Sequence, residues 1–238
     1  MKERIQKILS ARGLCSRRQA EQWMNEGRVT CNGTVCSPGD VADPDIDEIV
    51  VDGKRIPNEQ KSVYIMLNKP RGYVTTLSDE KGRPNAAQLV KNCNTRVYPV
   101  GRLDMDSEGL LLFTNDGEFA NLLMHPKGQI DKTYFVWVDG YTSECFEKVS
   151  QPVRIDGYLI SKPDVMVISA KERSALLEIT IHEGRNRQIR KMCQLAGMKV
   201  TRLKRISEGN LKLGDLPLGK WRYLSQAEVD ELRKTERG

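Results

Sequence analysis

The stretch GRLDMDSEGLLLFTNDG, residues 101–117, sets three carboxylates, Asp104, Asp106 and Glu108, on alternate positions after a short apolar run. Residues of this type at this spacing can hold a metal, supply a nucleophile or form a solvated turn. A calcium loop would use Asp104, Asp106, Glu108 and Gly109 as its first, third, fifth and sixth positions. Its twelfth would then be Asn115, where a bidentate Glu belongs, and the segment leading in reads as a strand instead of a helix. A phosphatase-type Asp-x-Asp would make Asp104 a nucleophile beside Mg²⁺. Here Glu108 takes the place of the usual Thr or Val, and Gly101 and Arg102 interrupt the strand. What remains is one carboxylate with an arginine two residues before it.

The elements that must position this stretch are mixed. VYIMLNKP and RVYPVGRL read as strands, FANLLMHP as a helix ended by Pro126, KTYFVWVDG and ALLEITIHEG as strands, and NRQIRKMCQLAG as a helix ended by Gly197. Near the end, LKLGDLPLGKWRYLSQAEVDEL adds a strand, a turn and a helix capped by Ser225 with Glu228. An α+β domain with an extended, mainly antiparallel mixed sheet flanked by helices is expected over residues 62–238. The first 58 residues read differently. Ile5, Ile8 and Leu9 recur at helical spacing up to Gly13. Ser16 and Gln19 form a capping box for a second helix with Ala20, Trp23 and Met24 on its apolar face and Gly27 as its stop. Asn32-Gly33 then marks a hairpin. A last strand is expected near 49–51 and a linker near Pro57–Lys61.

The chain has 238 residues, a formal net charge of +6 and 39% apolar residues. Residues 2–28 carry seven Lys/Arg against three acids, and residues 185–205 carry eight against none. Two basic surfaces of this kind suit a polyanion, although solvated charged faces would also fit the total. No stretch approaches the roughly 18 to 20 apolar residues of a membrane span. The start, MKERIQKILSARG, is too charged for a signal peptide, so a cytoplasmic location is expected. Six scattered cysteines read as reduced thiols. Cys31 and Cys36 lack a second pair or a nearby histidine for zinc, and His125 and His182 read as structural.

Several ordered motifs carry a resemblance. SRRQAEQWMNEGRVTCNG is similar to the S4 RNA-binding module. LNKPRGYVTT, GRLDMDSEGLL, DKTYFVWV and EGRNRQIRKMCQLAG together resemble pseudouridine synthases of the S4-containing type that modify ribosomal RNA. Lys191 stands where that helix usually has Arg. The resemblance implies structured ribosomal RNA as partner, a uridine flipped out of the stack, no cofactor, no metal and no membrane. A monomer suffices. It makes Asp104 the catalytic aspartate and leaves Asp106 and Glu108 as residues of a polar turn. It further implies that Tyr134 packs against the target base and that Arg102 enters the stack in the uridine's place. Lys69, Arg185 and Arg187 become candidate phosphate contacts, and Arg4, Arg17, Arg18 and Arg28 the RNA grip of the first module. The ending resembles large-subunit enzymes more than the small-subunit one. The rival from another class is a non-catalytic S4-type ribosome assembly factor.

An ionised aspartate in a water-poor pocket requires a cation within about 4–6 Å. On the helix 187–197, Arg187, Arg190, Lys191 and Gln194 make a basic stripe beside the apolar face of Ile189, Met192, Cys193 and Ala196. Arg190 borders that apolar face, so the expectation is an Arg190–Asp104 pair. The alternative is an Arg190 that contacts phosphate only.

Overall fold

The computed structural model describes residues 1–58, 60–125 and 128–234. Pro126, the expected end of a helix, lies outside the described residues. The chain divides into two compact units, residues 1–62 with 115–117, and residues 63–114 with 118–238.

In the first unit the helices α1 (Ile5–Ala11) and α2 (Arg17–Asn25) pack Ile5, Ile8, Leu9, Ala20 and Met24 into a small core with Val29 and Ile49. Ser16 caps α2 by accepting the Gln19 N–H at 3.1 Å; the Gln19 side chain donates to Gln22 instead of closing the box. Short strands surround the helices. β1 (Glu3–Arg4) pairs with β4 (Val41–Ala42), and β2 (Val29–Cys31), β3 (Thr34–Val35), β5 (Ile49–Val51) and β6 (Lys54–Arg55) form a sheet in the order β3-β2-β5-β6. The β2–β3 hairpin turns through Asn32 and Gly33 at φ 50° and 81°, the left-handed pair that Asn-Gly supplies at low cost.

The second unit is built on one nine-stranded sheet. Its path is β13 (Asp164–Lys171), β14 (Ser174–Ile181), β10 (Lys132–Asp139), β15 (Lys199–Glu208), β9 (Glu108–Thr114), β7 (Tyr64–Lys69) and β17 (Trp221–Tyr223). β8 (Tyr98–Val100) pairs with β9, and β16 (Leu211–Lys212) with β15. Every pairing is antiparallel except β15 with β9, which is parallel. Alternation along β9 sends Leu111 and Phe113 to one face and Leu110 and Leu112 to the other. The first face is covered by α5 (Gln188–Leu195) through Ile189, Met192 and Cys193. The second is covered by α3 (Gly117–Met124) and α6 (Gln226–Lys234) through Phe119, Leu123, Val229 and Leu232. Ser225 and Glu228 cap α6 reciprocally. A 3-10 helix Ala86–Cys93, the helix α4 (Ser143–Val149) and the hairpin β11 (Val153–Ile155) with β12 (Tyr158–Ile160) complete the unit. All six cysteines are free thiols. Among the described residues no helix is long and apolar enough to cross a membrane.

Candidate active site

Asp104 lies in the connection between β8 and β9, and its backbone is fixed on both sides. The Ser107 N–H donates to the Asp104 carbonyl at 3.0 Å, closing a turn, and the Gly72 N–H donates to Met105 at 2.7 Å. The Thr75 hydroxyl donates to the Leu103 carbonyl at 2.6 Å and accepts the Leu103 N–H at 3.2 Å. From below comes Lys69. Its ammonium donates to the carbonyls of Ser107 at 2.9 Å, Asp104 at 3.1 Å and Pro70 at 3.1 Å, using all three of its protons. Lys69 is wholly buried, and that burial pulls its pKa down to about 8 against the pull of Asp104, Asp106 and Glu108. The expectation of a phosphate contact is thereby corrected. A side chain at the inward end of β7 has no path to a ligand, and its charge serves the loop.

The three acids have three different surroundings. Asp104 is 34% exposed, with Arg187 Nη1 at 3.6 Å from its carboxylate. Asp106 accepts both Nη groups of Arg187, at 3.1 and 3.0 Å, and lies 3.3 Å from Arg190 Nη2, which also donates to the Asp106 carbonyl at 3.0 Å. Burial raises the Asp106 carboxyl, but the two arginines outweigh it and hold the group below the ordinary carboxylate range. Glu108 opens β9 on the opposite face of the sheet, in phase with Leu110. It is buried there and accepts from Arg202 Nε at 2.8 Å and Nη2 at 2.6 Å. Asp106 is the polar turn residue expected from the sequence, though ion-paired, whereas Glu108 is a buried strand residue.

The expected Arg190–Asp104 pair is also corrected. Arg187 takes a left-handed conformation, φ 53°, just ahead of α5, so it leaves the helical stripe and its guanidinium reaches the acidic loop. Arg190 stays on the helix, mostly buried. It divides its donors between Asp106 and the Val200 carbonyl, and burial draws its pKa down while Asp106 raises it.

A cleft of about 550 Å³ opens above this loop. Arg102, Asp104, Tyr134, Arg185 and Arg187 all line it, so five of the sequence-derived residues meet at one place. Tyr134, on β10, is 7% exposed. Arg102 is exposed, and Arg185 stacks 4.0 Å over the Tyr158 ring while pairing with Glu183 at 3.2 Å. Lys81, Arg83, Arg102, Arg185 and Arg187 outnumber the acids Asp79, Glu80 and Asp104 around the cleft. In the first unit Arg4, Arg17 and Arg18 are exposed. Arg17 and Arg18 occupy the first turn of α2, which has no acid, so two cations sit at the positive end of a helix dipole, an arrangement an anionic ligand would relieve. Arg28 is half-buried, bidentate to Asp52 at 2.8 and 2.6 Å and 4.9 Å over Trp23.

Sequence reading missed Thr75, which lines the cleft, and Arg205, Glu208 and Lys132, a charged cluster on β15 and the Tyr134 strand β10. The available signal was phase: Arg205 shares the inward side of β15 with Leu203, where an unpaired charge would be costly.

A cleft ringed by cations around one half-exposed carboxylate suits an enzyme that works on a polyanion. The RNA pseudouridylate synthase family matches residues 63–195, and the S4 domain matches residues 3–45. The Ribosomal large subunit pseudouridine synthase B of Bacillus subtilis is 42% identical over 234 residues, covering 97% of this chain and 96% of the relative. The Dual-specificity RNA pseudouridine synthase RluF of Escherichia coli is 39% identical, covering 97% and 78%. A solved pseudouridylate synthase superposes with TM-score 0.69 at 27% identity, over 96% of this chain and 99% of that one. The chain belongs to the RNA pseudouridylate synthase family, with an S4 domain ahead of the synthase domain.

Proposed function

We propose that the protein isomerises uridine to pseudouridine in ribosomal RNA, at one site or a close pair in the large-subunit RNA, with Asp104 as the attacking carboxylate. The observation that supports this best is the meeting of Asp104 and Tyr134 in one cleft, although their strands are separated in the sheet by β15. The names of the two curated relatives point to the same substrate class.

The reaction breaks the bond from uracil N1 to ribose C1′, turns the base in place, joins C5 to C1′ and moves the C5 proton to solvent as N1 gains one. It is balanced without an added electron or group, so the proposal needs no cofactor. Asp104 acts at the ribose or at the base, held in place by the backbone clamp from Lys69, Thr75 and Gly72. Arg187, at 3.6 Å, sets a positive charge beside that carboxylate. Tyr134 packs against the base through both of its orientations. Extruding a base costs a few kcal/mol, and Arg102, exposed at the cleft, offers a planar cation to fill the gap. Arg185 and Arg187 contact phosphates, and residues 1–58, through Arg4, Arg17, Arg18 and Arg28, dock structured RNA by its backbone. Residues 62–238 do the chemistry. One chain supplies the whole cleft, so a monomer acting in the cytoplasm is sufficient.

The test is genetic and chemical. The gene is deleted, pseudouridines are mapped across both ribosomal RNAs, and the strain is complemented with wild type or with Asp104→Asn. One site or a close pair should vanish and return with wild type alone. No lost site, or restoration by the variant, would leave the assembly-factor reading standing instead.

A further inference from the structure

Among the described residues Arg205 is the largest fully buried side chain, 2% exposed, and the reaction outlined above gives it nothing to do. It cannot touch RNA. A buried guanidinium is retained only where its surroundings compensate the lost hydration, so its partners indicate its task. Nε donates to the Leu110 carbonyl at 2.7 Å, and Nη2 lies 3.5 Å from Glu208 Oε2, itself 2% exposed. The other oxygen of Glu208 faces Lys132 Nζ at 3.8 Å.

The backbone register explains the location. Arg205 is opposite Gly109 in β9 on one side and opposite Tyr134 in β10 on the other. A register shift falls at this point: Thr133 faces Ser207 while Tyr134 faces Arg205, leaving Ile206 as the extra residue. Bulges beside active sites re-aim side chains. Gly109 allows the close approach, since a Cβ there would stand 2.2 Å from the Arg205 carbonyl oxygen. One residue thus spaces the strand that begins at the Asp104 loop from the strand that carries Tyr134.

We infer that Arg205 is a positioning residue for Tyr134, holding the phenol toward the cleft and facing its hydroxyl with a buried positive charge. Burial disfavours ionisation of Tyr134, and the Arg205 charge works in the opposite direction. Glu208 and Lys132 keep the guanidinium from turning away. The inference rests on the synthase reading, in which Tyr134 meets the base.

The test is a double-mutant cycle on the purified full chain, with transcripts of both ribosomal RNAs as substrate. Tyr134→Phe keeps the ring and removes the hydroxyl; Arg205→Met keeps the length and removes the charge. Arg205→Met should lower kcat about tenfold to a hundredfold, with KM within about twofold. In the Tyr134→Phe background the same change should cost less than about threefold, because residues acting as a unit are not additive. Equal losses in both backgrounds would overturn the inference and leave Arg205 a structural residue. A silent Tyr134→Phe would also overturn it, and Arg205→Lys supplies a second criterion that decides alone if Arg205→Met does not fold: partial recovery of kcat relative to Arg205→Gln supports the role, and equal rates for Lys and Gln overturn it. A wild type that converts neither RNA would instead refute the synthase reading itself.

Discussion

Asp104 and Asp106 sit two residues apart, both within reach of Arg187, and exchanging each for Asn separates their roles. Asp106→Asn removes two ion pairs, to Arg187 at 3.0 Å and to Arg190 at 3.3 Å. The Asp106 and Arg187 side chains are 37% and 43% exposed, so water and salt weaken their attraction. The exposed Arg187 pair contributes about 0.2–1 kcal/mol, and breaking the pair with the mostly buried Arg190 costs about 3 kcal/mol. If all ~4 kcal/mol were lost in the transition state, kcat would fall by about a thousandfold. The released Arg187 still has Asp104 at 3.6 Å to turn to. Asp104→Asn removes the carboxylate proposed to react, and turnover should fall by about four orders of magnitude or more. The assay is single-turnover release of tritium from RNA labelled at uridine C5, with thermal melting to show that both variants fold. If folded Asp106→Asn proves as inactive as Asp104→Asn, the assignment of chemistry to Asp104 alone is wrong.

Two further outcomes follow from the surrounding loop. Gly109→Ala must place a methyl against the Arg205 backbone and keep φ near +106°, so a loss of about 2–5 kcal/mol is expected, seen as a drop in Tm of at least about 5 °C. A variant that melts within about 2 °C of wild type would refute the close approach of β9 and β15. For Lys69 the folded pKa, about 8, lies below the ordinary 10.5, so the unfolded chain binds more protons between those values and stability rises with pH across that window. Relative to Lys69→Met, wild type should gain up to about 3 kcal/mol between pH 8 and pH 10.5 in urea titrations, and a flat difference would argue against a buried ammonium.

The local elements were readable because their causes are local. Ser16 and Ser225 cap helices from their own side chains, Asn32-Gly33 turns a hairpin by its own dihedral preferences, and the apolar runs of β7, β10 and β14 announce strands. The 3-10 helix Ala86–Cys93 carries an Asn85–Gln88 capping box that went unread, and the three-residue strands of the β11–β12 hairpin are too short to leave a periodic trace. At the site, the family resemblance pointed to Asp104, Tyr134, Arg102, Arg185 and Arg187, and the structure brings them to one cleft. Partner choice was not readable. Arg187 changes partners through a single left-handed residue, which no helical wheel contains, and the depth of Lys69 depends on a sheet assembled from distant segments. Glu108 was misplaced for the simplest reason: alternation along β9 carries it through the sheet to Arg202.

The place of β15 in the sheet has a consequence for when the protein can work. β9 and β10 follow each other in the chain but are not neighbours; β15, which starts at Lys199, enters between them. A chain still on the ribosome and missing its last forty residues already holds Asp104, Tyr134, Arg187 and Arg190, yet lacks the strand that sets the spacing between β9 and β10. Long-range strand insertion of this kind is slow relative to local folding. The spacing that brings Asp104 and Tyr134 to one cleft is therefore set late, by a strand made after both of them.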